Sequence, residues 1–192
     1  MEKHKLFVIV VSLFLGTLFL STIGSYWTGY TTLENSEISL NLYPYPFLKY
    51  SNYNSLYIVI PDHSTLKEEE IANNLAESLK STKPLYPKIV KLSELPAMNN
   101  NLILIGDSCT NPLMKYSSKL SCTFNLKEGE GFLKLINKEK YSMLLVSGYD
   151  LESMKKAANV LINYNLYPLK GNEIIVSGNP NNLYTYYLFY KN

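Results

Sequence analysis

Residues 101–106 read Asn-Leu-Ile-Leu-Ile-Gly, and residues 55–60 read Ser-Leu-Tyr-Ile-Val-Ile. Each is a short, continuous apolar run, which is typical of a strand buried on both faces of a sheet. The first run ends in a glycine turn, and the second is followed by Pro61. These two runs predict central strands of an α/β domain.

Amphipathic helices are predicted after these strands. Thr65 and Glu68 have the spacing of a capping box, and an apolar stripe follows them. The stripe comprises Leu66, Ile71, Ala72, Leu75, Ala76 and Leu79. Asp150 is the predicted N-cap of a second helix. The stripe of that helix comprises Leu151, Met154, Ala158, Leu161 and Ile162.

Further strands are predicted at residues 88–92 and 173–176, and a hairpin at 132–136 and 141–147. Strands and helices of this length alternate along the chain. We therefore expect an α/β fold with a three-layer sheet and flanking helices, doubly wound or Rossmann-like. The stretch between the two cysteines shows no compelling strand or helix pattern.

The N-terminal segment is strongly apolar. Lys3 and Lys5 precede a run from Leu6 to Trp27 that contains no charged residue. This run is about 22 residues long, enough to cross a hydrocarbon layer of about 30 Å. The lysines place the N-terminus in the cytoplasm and the rest of the chain outside. We favour an uncleaved transmembrane anchor, and a signal peptide cut near residues 22–24 or a buried core helix are the alternatives.

Three parts follow from this pattern. They are a signal or transmembrane anchor at 1–27, an extended linker at 28–50 and an extracytoplasmic α/β domain at 51–192. The linker is expected to be extended because its stretch Leu42-Tyr-Pro-Tyr-Pro-Phe47 contains two prolines. The expected location is the cell surface, as a single-pass protein with its C-terminal domain outside, and secretion is the alternative.

The charged residues make a nucleic-acid partner unexpected. There are 18 basic and 16 acidic residues, and the basic set contains Lys but no Arg. Arg supplies the planar donor fork that grips phosphates and bases. Only two histidines are present, and no carboxylate cluster accompanies His63. We therefore expect neither a metal site nor a cofactor.

Two polar stretches contain residue types that occur in catalytic or binding sites. Asp62-His63-Ser64 has the residue types of a catalytic triad, but adjacent residues on one turn cannot place nucleophile, base and orienting acid in line. Glu68, Glu69 and Glu70 fall in the first turn of a helix and are expected to form a solvated face. No catalytic residue is therefore predicted, and an exported hydrolase is the least favoured function class.

Gly106-Asp-Ser-Cys-Thr110 directly follows a strand, at the edge where α/β sheets bind ligands. A phosphate-binding loop would need more glycine, and Asp107 would repel a phosphate. We expect a structural turn here. A small-ligand site near Gly106 and Gly148 is the alternative.

Cys109 and Cys122 are the only cysteines. An even pair in an exported chain is most simply a disulfide, here closing a loop of about 13 residues. The alternative is a catalytic thiol, for which only His63 is available as a partner.

The C-terminal stretch Tyr184-Thr-Tyr-Tyr-Leu-Phe-Tyr190 is aromatic on both faces if it forms a strand. One face is expected to pack on the domain. The other face, with Tyr187 and Phe189, would expose a large apolar area to water if this edge strand stayed uncovered. We favour cover by the aromatic segment around residues 43–50, and a partner protein is the alternative.

Ten short stretches occur along the chain in an order found in one protein family. They are Tyr45–Lys49, Leu56–Pro61, Ile71-Ala72, Leu75-Ala76, Leu102–Leu113, Cys122, Glu128–Gly131, Leu144–Tyr149, Ala157-Ala158 and Leu169–Val176. This ordered set resembles archaeal S-layer proteins of the methanococcal type. In that family two halves flank large intervening domains, whereas here Lys88–Asn101 joins them directly. Asp107 and Ser108 also replace the usual Gly and Pro.

The resemblance implies a cell-surface domain of an archaeal envelope, with its cysteine pair bridged. The expected function is that of a non-catalytic S-layer-like protein, displayed outside the membrane and associated with the cell envelope. Its expected partners are the membrane, through the N-terminal segment, and the S-layer lattice or other envelope proteins. The alternative function is an extracytoplasmic small-ligand-binding module.

Overall fold

The computed structural model describes residues 39–45, 47, 56–82, 87–96, 100–118, 122, 125–138, 140–178 and 187–190. The predicted anchor at 1–27 and most of the predicted linker at 28–50 lie outside these ranges. All described residues belong to the unit Ile38–Asn192. In the part of the chain that is described, no helix is both long and apolar enough to cross a membrane.

One mixed sheet and three helices make up the described domain. The strands are β1 (Leu56–Ile60), β2 (Lys88–Lys91), β3 (Asn101–Ile105), β4 (Gly131–Asn137), β5 (Ser142–Gly148), β6 (Glu173–Ser177) and β7 (Tyr187–Tyr190). The helices are α1 (Leu66–Thr82), α2 (Pro112–Ser118) and α3 (Leu151–Ile162). The α/β class predicted from the sequence is confirmed.

The seven strands lie in the order β2-β1-β3-β5-β4-β6-β7. The first four strands in this order are parallel to one another. β4 is antiparallel to both β5 and β6, and β7 is antiparallel to β6. The hairpin predicted from the sequence is therefore the β4–β5 pair, and it adds an antiparallel half to a parallel half.

Helices cover both faces of the sheet. Alternate strand residues point to opposite faces, so neighbours along a strand fall in different core clusters. Ile58 and Ile103 pack in the cluster that includes the apolar stripes of α1 and α3. Val59 and Leu104 pack in the other cluster, with Leu113 and Met114 of α2. Two helices therefore lie on one face and the short α2 on the other.

The start of α1 is the predicted capping box. The backbone nitrogen of Thr65 donates to Oε2 of Glu68 at 2.7 Å, and the nitrogen of Glu68 donates to Oγ1 of Thr65 at 3.3 Å. Two predictions about this turn were wrong. Leu66 is 85% exposed, because the apolar stripe begins at Ile71. Glu68 is buried rather than solvated, because its carboxylate folds back onto the cap.

The helix α2 was not predicted, because a helix of two turns shows too little periodicity. Of its residues, Leu113 and Met114 are buried in the core. The sequence does hold a local signal for the start of this helix, because Asn111-Pro112 places a proline at the first helical position. 

Part of the predicted linker belongs to the core. A single 3₁₀ turn, Leu40–Leu42, is followed by the buried side chains of Tyr43 and Phe47. The backbone nitrogen of Leu40 donates to the carbonyl oxygen of Gly171 at 2.8 Å. Burial raises the pKa of the Tyr43 hydroxyl well above its usual range. The packed domain therefore begins by Leu40, upstream of the boundary predicted at residue 51.

Candidate functional site

The carboxyl ends of β1, β3 and β5 meet at one edge of the sheet, because these strands are adjacent and parallel. Pro61, Gly106 and Tyr149 are the first residues after them. This edge is where an α/β sheet normally binds a ligand. The structure thus brings Gly106 and Gly148 to the same edge, as the small-ligand alternative requires.

The turn after β3 is held together by its own side chains. Oδ1 of Asp107 accepts hydrogen bonds from the backbone nitrogens of Cys109 at 2.6 Å and Thr110 at 2.9 Å. Gly106 has a φ of 126°, and a Cβ there would lie 3.1 Å from Cγ of Pro61. The glycine is needed for the backbone conformation and the close contact. The turn is thus a self-contained structure in which the Asp107 carboxylate is already engaged.

Two buried polar atoms lie around the end of β3. Nδ2 of Asn111 donates to the carbonyl oxygen of Ile105 at 3.3 Å, whereas Oδ1 of Asn111 has no hydrogen-bond partner. Oγ of Ser147 is also buried without a partner. Ser147 follows Val146, which pairs with Ile105 across the β3–β5 ladder. Both side chains are 0% exposed, so these two atoms are positions that a buried water or a small polar ligand would satisfy.

A disulfide joins this turn to the segment before β4. Cys109 and Cys122 are bonded, with their Cα atoms 5.0 Å apart. The segment they enclose contains α2, and Leu126 beyond it is buried in the α2-side cluster. The bridge therefore holds the cover of that face of the sheet. The alternative of a catalytic thiol at these positions is wrong, since both sulfur atoms are in the bridge.

Asp62, His63 and Ser64 form a polar turn between β1 and α1. Oδ1 of Asp62 accepts a hydrogen bond from the backbone nitrogen of Ser93 at 2.8 Å, which lowers the pKa of the carboxyl group. Oγ of Ser64 donates to Oε1 of Glu69 at 2.9 Å. His63 is exposed. The Asp62 carboxylate thus bonds to Ser93, and the Ser64 hydroxyl bonds to Glu69.

A shallow cleft of about 30 Å³ lies between the first turns of α1 and α3. Nζ of Lys67 lies 2.7 Å from Oε1 of Glu152, and Nζ of Lys155 lies 3.6 Å from Oε1 of Glu70. A space of this size holds about one or two water molecules. The four charged side chains that line it are paired with one another, so the cleft is a narrow gap between two helices. Within the described residues, no group of three His, Cys, Asp or Glu side chains is placed to hold a metal ion.

The most exposed apolar strand is β7, at one end of the sheet. Its register with β6 sets Leu188 opposite Val176, on the face covered by α1 and α3, and Leu188 packs against that core. Tyr187 and Phe189 point to the other face and are 64% and 56% exposed. We call these two residues the aromatic edge.

The aromatic segment around residues 43–50 was expected to cover the aromatic edge. Its described residues do not do so. Tyr43 and Phe47 pack in the cluster on the opposite face, with Leu188. The ring of Tyr43 packs edge-to-face against the rings of Phe47 and Tyr164, with centroids 6.1 and 5.4 Å apart. The positions Tyr184 to Tyr186, which were predicted to continue the alternation, lie outside the described residues. 

Comparison with known proteins adds little. No family model matches the chain. No curated protein matches it either. Among solved structures, one described as "Structure of CpGH84D" is similar over 66% of this chain, with 16% sequence identity and a TM-score of 0.35. The match spans 21% of that longer chain.

Proposed function

We propose that this chain is a non-catalytic cell-surface protein, an S-layer-like domain held outside the membrane that associates with the cell envelope. The observation that carries the proposal is the aromatic edge, Tyr187 and Phe189, exposed on an edge strand. Exposed aromatic side chains on a sheet edge are a contact surface, because they bring a large apolar area at a low cost in side-chain entropy.

Two further observations support an extracytoplasmic, non-catalytic role. A disulfide such as Cys109–Cys122 persists in oxidising compartments and is rare in the cytosol. At the ligand-binding edge of the sheet, the carboxylate of Asp107 is engaged by the turn that contains it. We also propose that the parallel half of the sheet, with α1 and α2 on opposite faces, is a doubly wound or Rossmann-like unit in a three-layer arrangement.

Fractionation of the native cells tests the location. The chain should sediment with membranes, and protease added to intact spheroplasts should remove residues of the domain. A mature N-terminus near Ser25 would show that the apolar segment is a cleaved signal and that the protein is secreted. A domain that resists protease until the membrane is lysed would contradict the proposed location.

Paired variants test the contact surface. Tyr187→Ser and Phe189→Ser should reduce the chemical cross-linking of the chain to its neighbours in isolated envelopes, because they remove apolar area from the aromatic edge. Tyr116→Ser is the matched control, since Tyr116 is 80% exposed on α2, away from β7. Cross-linking that falls equally in all three variants, or in none, would contradict a contact at β7.

A small-ligand-binding module is the second candidate, and the buried atoms Asn111 Oδ1 and Ser147 Oγ favour it. A neutral ligand with hydroxyl or amide groups suits this edge, because Asp107 disfavours anions. Calorimetric titration with a panel of neutral polyols and amides tests it. Binding that Ser147→Ala weakens and Ser142→Ala does not would support the second candidate, and absence of binding would reject it for those ligands.

A further inference from the structure

The two edges of the sheet differ in charge. β2 forms one edge and carries Lys88 and Lys91, both exposed. Charged side chains, lysine above all, are a common way in which edge strands avoid pairing with another chain. β7 forms the other edge and reads Tyr-Leu-Phe-Tyr, without any charge. Of the two described edge strands, β2 carries charged side chains and β7 does not.

We propose that β7 pairs with β7 of a second copy of this chain. The two strands run antiparallel about a two-fold axis, so that the two sheets continue into each other. In the described part of the chain, β6 is the strand paired with β7, which leaves the outer side of β7 open. Its outward backbone groups supply the hydrogen bonds of the new ladder.

A second copy is the occupant that the side chains favour. Residues that lie opposite each other in an antiparallel pair point to the same face, so a two-fold axis normal to the sheet brings Tyr187 and Phe189 of both copies together. Aromatic cross-strand pairs stabilise such a contact. The aromatic side chains of the two copies then lie side by side, which buries part of their exposed apolar area.

Two charged side chains on the face of the aromatic edge are paired with each other. Lys134 and Glu173 lie on the face of the aromatic edge, and Nζ of Lys134 is 2.8 Å from Oε2 of Glu173. They neutralise each other within one copy. Pairing of β2 with β2 would instead bring Lys88 and Lys91 near their duplicates, and like charges across a ladder are destabilising.

The contact is small, because β7 has four residues. A small interface gives a weak, concentration-dependent dimer in solution. If the chain is anchored to a membrane as proposed above, its local concentration is high and a weak contact is sufficient. This last step alone rests on the proposed function.

Sedimentation equilibrium of the full chain in detergent tests the dimer. We expect a reversible equilibrium between a species of 21.9 kDa and one of twice that mass. Phe189→Lys should raise the dissociation constant about tenfold or more, because the substitution places two cations across the axis. Tyr116→Lys, at the exposed Tyr116 of α2, should leave the dissociation constant unchanged. Equal unfolding temperatures of the variants will show that the fold is kept.

Mixing two charged variants locates the axis. Phe189→Lys and Phe189→Glu should each dimerise weakly alone and well when mixed, since opposite charges then meet. A chain that stays monomeric at all concentrations overturns the proposal. A dimer that Phe189→Lys leaves intact, or that mixing does not restore, also overturns it. Cross-linking of β7 to a different envelope protein, with no dimer in detergent, would overturn the proposal in favour of a heterologous partner. Failure of the proposed location is a separate result, which the fractionation of cells reports.

Discussion

Nδ2 of Asn101 lies 3.2 Å from the carbonyl oxygen of Phe47, to which it donates a hydrogen bond. Oδ1 of the same side chain accepts from the backbone nitrogen of Ser142 at 2.8 Å. Asn101 and Ser142 are both buried, as is the Phe47 side chain. The Asn101 amide thus links the segment that contains Phe47 to the start of β3 and to the start of β5.

Asn101→Leu should lower the free energy of unfolding by about 1–3 kcal/mol, because two buried backbone groups lose their partner. Urea unfolding followed by circular dichroism measures the change. Asn73→Ala is the control, since the amide of Asn73 is exposed and bonds only within α1. If the Asn101 variant is no less stable than this control, the buried amide does not hold the segment.

Asp150 caps α3 by accepting a hydrogen bond from the backbone nitrogen of Ser153 at 2.7 Å. Asp150→Ala should cost about 1 kcal/mol, and Asp150→Ser should retain most of the cap. Hydrogen bonding to Ser153 lowers the pKa of the Asp150 carboxyl group from its ordinary 3.8. A lowered pKa stabilises the fold above pH 3.8, and this stabilisation is lost as the pH falls through the folded-state pKa.

The stability difference between wild type and Asp150→Ala should therefore shrink in acid. Unfolding in urea at a series of pH values from neutral to below 3.8 measures it. A difference that is independent of pH would show that the carboxylate charge has no part in the cap.

Removal of the disulfide should loosen the face that α2 covers. Cys109→Ser should lower the free energy of unfolding by about 3 kcal/mol, because the bridge closes a loop with a sequence separation of 13 residues. The double variant with Cys122→Ser and the reduced wild type should lose a similar amount. Thiol labelling of the unfolded, unreduced wild type should find no free cysteine, and two labelled thiols per chain would contradict the bridge.

Gly131 is a close-packing position. A Cβ there would lie 2.3 Å from the carbonyl oxygen of Ser153 in α3, so Gly131→Ala should destabilise the domain by about 1–3 kcal/mol or more. Gly131→Ser should be worse, because the clash grows with size. Gly171 is the matched control: it has a φ of 63° and no atom within 4 Å of its Cβ position.

Substitution of Gly171 should therefore cost only backbone strain, equal for Ala and Ser and smaller for Asn, which tolerates this conformation. Thermal unfolding of the five variants separates the two mechanisms. Equal costs for Gly131→Ala and Gly131→Ser would mean that α3 can shift away from β4.

The strands and the helix caps were predictable because their signals are local. The buried run that became β3, the Thr65–Glu68 box and the Asp150 cap each depend on neighbouring residues. The burial of Glu68 was missed because its capping role, which the same motif implies, removes the side chain from water. The strand order was not predictable, since it depends on contacts between residues far apart in sequence.

The candidate sites were predicted with less success, for physical reasons. Gly106–Thr110 was correctly placed as a turn after a strand, but nothing local indicates that Asn111 Oδ1 and Ser147 Oγ are buried there without partners. The aromatic alternation at Tyr187 and Phe189 was visible. Which face is covered depends on where Tyr43 and Phe47 pack, and this is a tertiary property.

The packing of Leu40, Tyr43 and Phe47 has a mechanical consequence. If the chain is tethered through its N-terminal end, tension along the backbone reaches Leu40 and its bond to Gly171 before it reaches β1. The side chain of Phe47 and the Asn101 bond resist next. Force applied at the tether therefore acts first on these three buried side chains, which must leave the core before the force reaches the sheet.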